Sequence, residues 1–86
     1  MILNNTAGGS GIHLTPAASN NVIHFNNIMG NSPEGSGSYG VYNDNALETV
    51  DATLNYWGEA SGPTHPGNPN GTGDAVSDNV DYRVYP

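Results

Sequence analysis

His24-Phe25-Asn26-Asn27-Ile28-Met29-Gly30 is the stretch whose reading decides the fold. An asparagine-centred phrase of this kind occurs three times. Ile2-Leu3-Asn4-Asn5-Thr6-Ala7-Gly8 precedes it, and Thr53-Leu54-Asn55-Tyr56-Trp57-Gly58 follows it. The phrases are centred on Asn5, Asn27 and Asn55, so the second interval is a little longer than the first. A second phrase keeps a similar beat: Gly11-Ile12-His13-Leu14 returns as Gly40-Val41-Tyr42-Asn43. Periods of roughly 20–50 residues, the range in which all these intervals fall, mark repeat architectures. In such folds each unit buries its apolar face only against its neighbours.

The asparagines have a physical role in such a repeat. A chain that bends sharply once per coil needs a residue that tolerates the left-handed region, and Asn does so better than most residues other than Gly. Residues at one corner then stack, and their amides hydrogen-bond along the stack. Asn5, Asn27 and Asn55 are the expected ladder.

Composition narrows the class. The chain has 86 residues, 35% of them hydrophobic and only 10% charged. Low charge argues against charge-driven disorder, and the sparse apolar content suits a narrow core with many turns. Strand-like clusters occur at Gly11 to Thr15, Asn21 to Phe25, Tyr39 to Asn43 and Val50 to Leu54. Ile2-Leu3 reads as the remnant of an earlier strand. Asp44 to Thr49 has slight helical character, of a turn or two at most. The formal charge is −7, with Arg83 the only Lys or Arg. No basic patch can form, which excludes nucleic acid and anionic membrane surfaces as expected partners. No apolar run reaches the roughly 20 residues of a membrane-spanning helix, and no disulfide is available because there is no Cys.

From Asn55 onward the character changes, and four of the six prolines fall there. Residues 1–55 read as β coils and residues 56–86 as a capping tail, with Trp57 in its apolar lid. A capping tail answers a need of repeat folds, whose last unit exposes core and strand edges. Asn-Tyr-Trp-Gly, then Ser-Gly-Pro-Thr-His-Pro-Gly-Asn-Pro, then Gly-Thr-Gly-Asp-Ala-Val-Ser-Asp-Asn-Val-Asp-Tyr, resembles the segment that closes many right-handed parallel β-helix domains of the pectin-lyase-like superfamily. Such domains are common in secreted and surface proteins of bacteria and archaea. The preceding Asn-Asn phrases resemble the short repeats of that family, so the resemblance covers nearly the whole chain. It implies an all-β, right-handed parallel β-helix of about two and a half coils with a Pro/Gly-rich C-terminal cap. It also implies an extracellular or cell-surface location.

Chemistry is sparse. Enzymes of that superfamily cluster acidic residues on one sheet face, with Ca²⁺ or a basic residue. Here the single basic residue, Arg83, falls in the tail, and no carboxylate pair is visible at the coil spacing. The expectation is therefore a chain that is not itself an enzyme. It reads as a structural or binding module at the end of a β-helix protein; the alternatives are the C-terminal remainder of a polysaccharide lyase or glycoside hydrolase whose active site lies in upstream coils, and an assembly module acting by end-to-end stacking. His13 and His24 alternate with apolar neighbours and are expected to point outward. Asp74, Asp78 and Asp81, with Asn79 among them, are candidate oxygen ligands for Ca²⁺, and their spacing matches no EF-hand. Tyr39 and Tyr42 are the candidate carbohydrate-binding rings, so a polysaccharide is the expected ligand. Self-association is the expected contact between chains, through an open N-terminal coil that includes Ile2, Leu3, Ile12 and Leu14.

Overall fold

The computed structural model describes residues 2–3, 10–31 and 38–83. Among the described residues there is no helix, and eight strands of two or three residues follow one another. They are β1 (Ile2–Leu3), β2 (Ile12–Leu14), β3 (Ile28–Met29), β4 (Val41–Asn43), β5 (Val50–Asp51), β6 (Pro63–Thr64), β7 (Gly73–Ala75) and β8 (Val80–Asp81). All four strand pairs are parallel: β1 with β3, β2 with β4, β5 with β8, and β6 with β7. The protein is thus all-β, built of short strands in small parallel sheets.

Single parallel bridges extend three of these pairs. Val22 pairs with Asp51, Asn27 with Tyr56, and Val41 with Val76. Each of β3, β4 and β5 therefore has two parallel neighbours. Ile12 faces Val41, and Val41 faces Val76. Val22 faces Asp51, which faces Asp81. Three of the registers share one sequence step: Ile12 to Val41, Val22 to Asp51 and Asn27 to Tyr56. The same step of 29 residues separates Asn26 from its hydrogen-bond partner Asn55. The returning Gly11–Leu14 phrase is thus a true register, since Ile12, His13 and Leu14 face Val41, Tyr42 and Asn43.

The core follows the same step. Leu14, Ile23, Ile28, Val41, Val50, Ala52, Trp57, Val76 and Val80 form one buried cluster. Within it, that step relates Ile23 to Ala52 and Ile28 to Trp57. A row of inward side chains along the stacking direction buries apolar area at about 25 cal/mol per Å², the main source of stability for so small a chain.

Several sequence expectations are displaced. The strand expected from Asn21 to Phe25 is reduced to the bridge at Val22, and the strand expected from Val50 to Leu54 stops at Asp51. The cause is a bend in each. Phe25 has φ 59° and Leu54 has φ 65°. A left-handed residue breaks the alternation of faces, so Phe25, expected inward, is 82% exposed. No helix forms over Asp44 to Thr49, because side chains cap the turn instead. The Asn43 Oδ1 accepts from the Asn45 N–H at 3.0 Å, and the Asn45 Oδ1 accepts from the Leu47 N–H at 3.0 Å.

The parallel pairing does not stop at residue 55. Val76 pairs with Val41, and β8 pairs with β5, so strands continue into the segment expected to form the capping tail. Pro63 enters a strand at its first position, where a missing N–H is tolerated. Leu14, expected in an open self-association surface, is buried by the chain itself, while Ile12 is half-buried. Ile2 pairs with Ile28 and not with His24, its partner in the aligned phrases, so the first phrase is out of register with the second.

Candidate binding groove

Tyr39 and Tyr42 stack with ring centroids 5.3 Å apart and planes 13° from parallel. His13 extends the row, its ring 5.0 Å from that of Tyr42, as the β2–β4 register requires. Tyr39 is set by the chain entering β2: its carbonyl accepts from the Gly11 N–H at 2.9 Å, and its N–H donates to Ser10 Oγ at 3.3 Å. These rings border a groove of about 750 Å³ whose other wall comes from the tail, including Thr64, His65, Asp78 and Asn79. A stacked aromatic edge facing polar donors and acceptors is suited to a flat, hydroxyl-rich ligand.

His65 is held from both sides. Its Nδ1 accepts from the Gly67 N–H at 3.0 Å, and its Nε2 lies 2.9 Å from Asp78 Oδ1. A backbone N–H only donates, so in the neutral ring the proton sits on Nε2 and is given to Asp78. The ring also lies 5.6 Å from Tyr82. The tail wall of the groove is therefore fixed by hydrogen bonds.

The expected contact of Asn27 with Asn55 does not form; the residue before it makes a single asparagine pair with Asn55. Asn5 lies outside the described residues. Asn27 is exposed and faces Tyr56. Asn26 is the residue that meets Asn55: its N–H donates to Asn55 Oδ1 at 2.9 Å, and its amide reaches the same oxygen at 3.4 Å. Asn55 is buried and donates to the carbonyls of Ile23 at 2.6 Å and Ala52 at 2.7 Å. The residues in the left-handed conformation are Phe25 and Leu54, each one position earlier. The asparagines do not make the bend; they satisfy the backbone groups that the bend leaves unpaired. Trp57 is buried, with its indole N–H lacking a hydrogen-bond partner among the described residues.

The three candidate Ca²⁺ ligands are not brought together. Asp74 is buried and accepts from Asn31, from its N–H at 3.0 Å and its side-chain amide at 2.8 Å. Asp78 bonds His65, and Asp81 accepts from Arg83 Nε at 2.8 Å and Nη2 at 2.6 Å. Among the described residues no group of three His, Asp or Glu side chains is arranged to hold a metal ion.

A carboxylate pair at the repeat spacing, expected to be absent, does occur. Asp51 and Asp81 are in register on β5 and β8. His24 Nε2 stands 2.9 Å from Asp51 Oδ1 and 3.0 Å from Thr53 Oγ1, and the Thr53 hydroxyl donates to Asp51 Oδ1 at 2.8 Å. The His24 hydrogen bond, reinforced by Thr53, pulls the Asp51 pKa from 3.8 to about 2. The Arg83 hydrogen bond likewise holds Asp81 below its ordinary value. His24, expected to be a free surface histidine, is therefore tied to Asp51. Sequence reasoning misses this pair because it puts Asp51 in a strand and Asp81 in a lid. The available signal was the matching dipeptides Val50-Asp51 and Val80-Asp81, close to one repeat apart.

No family model matches the chain, and neither a curated protein nor a solved structure matches it.

Proposed function

We propose that this chain is a section of a right-handed parallel β-helix that acts as a non-catalytic, carbohydrate-binding module at the cell surface or outside the cell. The recurring register step supports the solenoid reading, as does the double parallel pairing of β3, β4 and β5. Crossovers between parallel strands are right-handed in nearly all cases. The observation that carries the binding role is the stacked Tyr39–Tyr42 pair on a groove walled by Thr64, His65, Asp78 and Asn79. With a formal charge of −7, the chain suits neutral glycans better than acidic ones.

A catalytic reading has less support. Glycoside hydrolysis needs one carboxyl that stays protonated to serve as acid. Asp51 and Asp81 are both held below the usual carboxylate range, so both are ionised at neutral pH.

Calorimetric titration with a panel of neutral and acidic polysaccharides tests the reading. Tyr39→Ala and Tyr42→Ala should each weaken binding at least tenfold, equivalent to about 1.4 kcal/mol. Tyr56→Ala, an exposed ring that does not line the groove, should bind as the parent does. No binding by the parent, or equal loss in all three variants, counts against the groove. Release of reducing or unsaturated ends in proportion to protein counts against a non-catalytic role.

Self-association is part of the same proposal. Val22 is 62% exposed beside Phe25, and both lie on a segment with a described parallel neighbour on one side. Sedimentation across a concentration range should show mass above that of the monomer. A Val22→Asp variant should lose it, and a constant monomer mass in the parent removes this part.

A further inference from the structure

Most asparagines of this chain have a structural reason. The side chains of Asn26, Asn31, Asn43, Asn45, Asn55 and Asn68 donate to main-chain or side-chain oxygens. Asn20 and Asn79 occupy left-handed positions, at φ 59° and 62°. Asn70 has neither reason. It is exposed in a turn between Thr64 and Gly73, and its amide makes no hydrogen bond among the described residues.

Its neighbours are explained. Gly71 has no room for a Cβ, which would collide with the Pro63 carbonyl and the Asn68 amide. Its N–H donates to the Asn68 carbonyl at 2.9 Å, closing the turn. Thr72 is exposed, and its hydroxyl lies 2.9 Å from that of Ser61. Asn70-Gly71-Thr72 thus has the Asn-x-Thr spacing of an N-glycosylation acceptor on a surface turn. Asn21 and Asn27 are also exposed, but Ile23 and Met29 stand two places after them.

We propose that Asn70 is an acceptor for an N-linked glycan, delivered by a membrane transferase from a lipid-pyrophosphate oligosaccharide. Asn70 Nδ2 attacks the anomeric carbon of the first sugar. The new N–C bond forms as the C–O bond to pyrophosphate breaks. The lipid pyrophosphate leaves, and the Nδ2 proton passes to a carboxylate of the transferase. The turn carries the glycan outward, since Asn70 supports no contact that the sugar would break. The Thr72 hydroxyl, 2.9 Å from that of Ser61 in the bare chain, turns from Ser61 to the transferase during transfer. The idea rests on the extracellular placement proposed above, and its test does not depend on glycan binding.

The test expresses the full chain together with an oligosaccharyltransferase and its lipid-linked donor, and reads intact mass and peptide maps. A glycan should appear on the peptide holding Asn70. It should persist in Thr72→Ser and vanish in Asn70→Gln and Thr72→Ala. The glycosylated chain should keep the melting temperature and Trp57 emission of the bare chain. Glycan on Asn4 alone, which heads the other Asn-x-Thr triplet, would overturn the assignment. So would no transfer, or a modified chain that has lost its native Trp57 emission.

Discussion

Asn55 is joined to Asn26, 29 residues earlier, by a single shared oxygen, Asn55 Oδ1, while its own amide reaches the carbonyls of Ile23, Ala52 and Thr53. Leaving a buried polar group unsatisfied costs about 1–3 kcal/mol. Asn55→Ala orphans the Ile23 and Ala52 carbonyls and the Asn26 N–H together, and should cost about 3 kcal/mol by urea denaturation. Asn27→Ala, on an exposed side chain, should change stability by no more than about 0.5 kcal/mol. Equal costs would mean that the corner contacts do not follow the Asn26–Asn55 register.

Trp57 is 1% exposed, and its carbonyl accepts from the Asp74 N–H at 2.9 Å. Trp57→Ala should cost about 3–5 kcal/mol, a large share of the stability of so small a domain. Its indole N–H has no partner among the described residues, so Trp57→Phe gives up no described hydrogen bond and should cost much less than the alanine variant. Calorimetric melting of the two variants checks the order. A phenylalanine variant as unstable as the alanine one would show that the nitrogen is satisfied.

Phe25 holds φ 59° while its ring is 82% exposed. The left-handed conformation costs a residue with a Cβ about 1–2 kcal/mol, and Asn bears it better. Phe25→Asn should therefore raise stability by about 1 kcal/mol, seen as a higher melting temperature. A lower one would mean that the edge contact of Phe25 with the His24 ring outweighs the backbone strain.

Asp51 titrates at about 2 in the folded chain, against an ordinary 3.8. A carboxylate depressed by folding adds stability above its ordinary value. That contribution is lost as pH falls through the window between the two. Asp81, lowered by Arg83, acts in the same direction. Melting temperature should fall between about pH 4 and pH 2. His24→Ala removes the largest cause, so the Asp51 carboxyl carbon followed by NMR should titrate closer to 3.8. An unchanged midpoint would detach Asp51 from His24.

The β2–β4 register is legible in the sequence, because Gly11-Ile12-His13-Leu14 and Gly40-Val41-Tyr42-Asn43 match in both turn residue and alternation. The corners are not. Aligning each phrase on the asparagine that keeps the Gly spacing misplaces the bend, which falls on Phe25 and Leu54, residue types rarely found in the left-handed region. The tail strands are hidden by Pro and Gly, which usually mark loops. Half of the groove is visible as Tyr39 and Tyr42. The other half, Thr64, His65 and Asp78, is assembled only when β6 and β7 fold back, a long-range event that local pattern does not carry.

The shared register step gives three separate pairings one common offset along the chain. A chain slid by that length lands Ile12 on Val41, Val22 on Asp51 and Asn27 on Tyr56 at the same time. Duplicating residues 23–51 in tandem, one whole step, should then lengthen the protein without a new design problem. An insert of another length would shift the pairing register of the copied strands. A longer chain of native-like melting behaviour is the expected outcome of the whole-step duplication, and an aggregated or unfolded one would show that the step cannot be repeated.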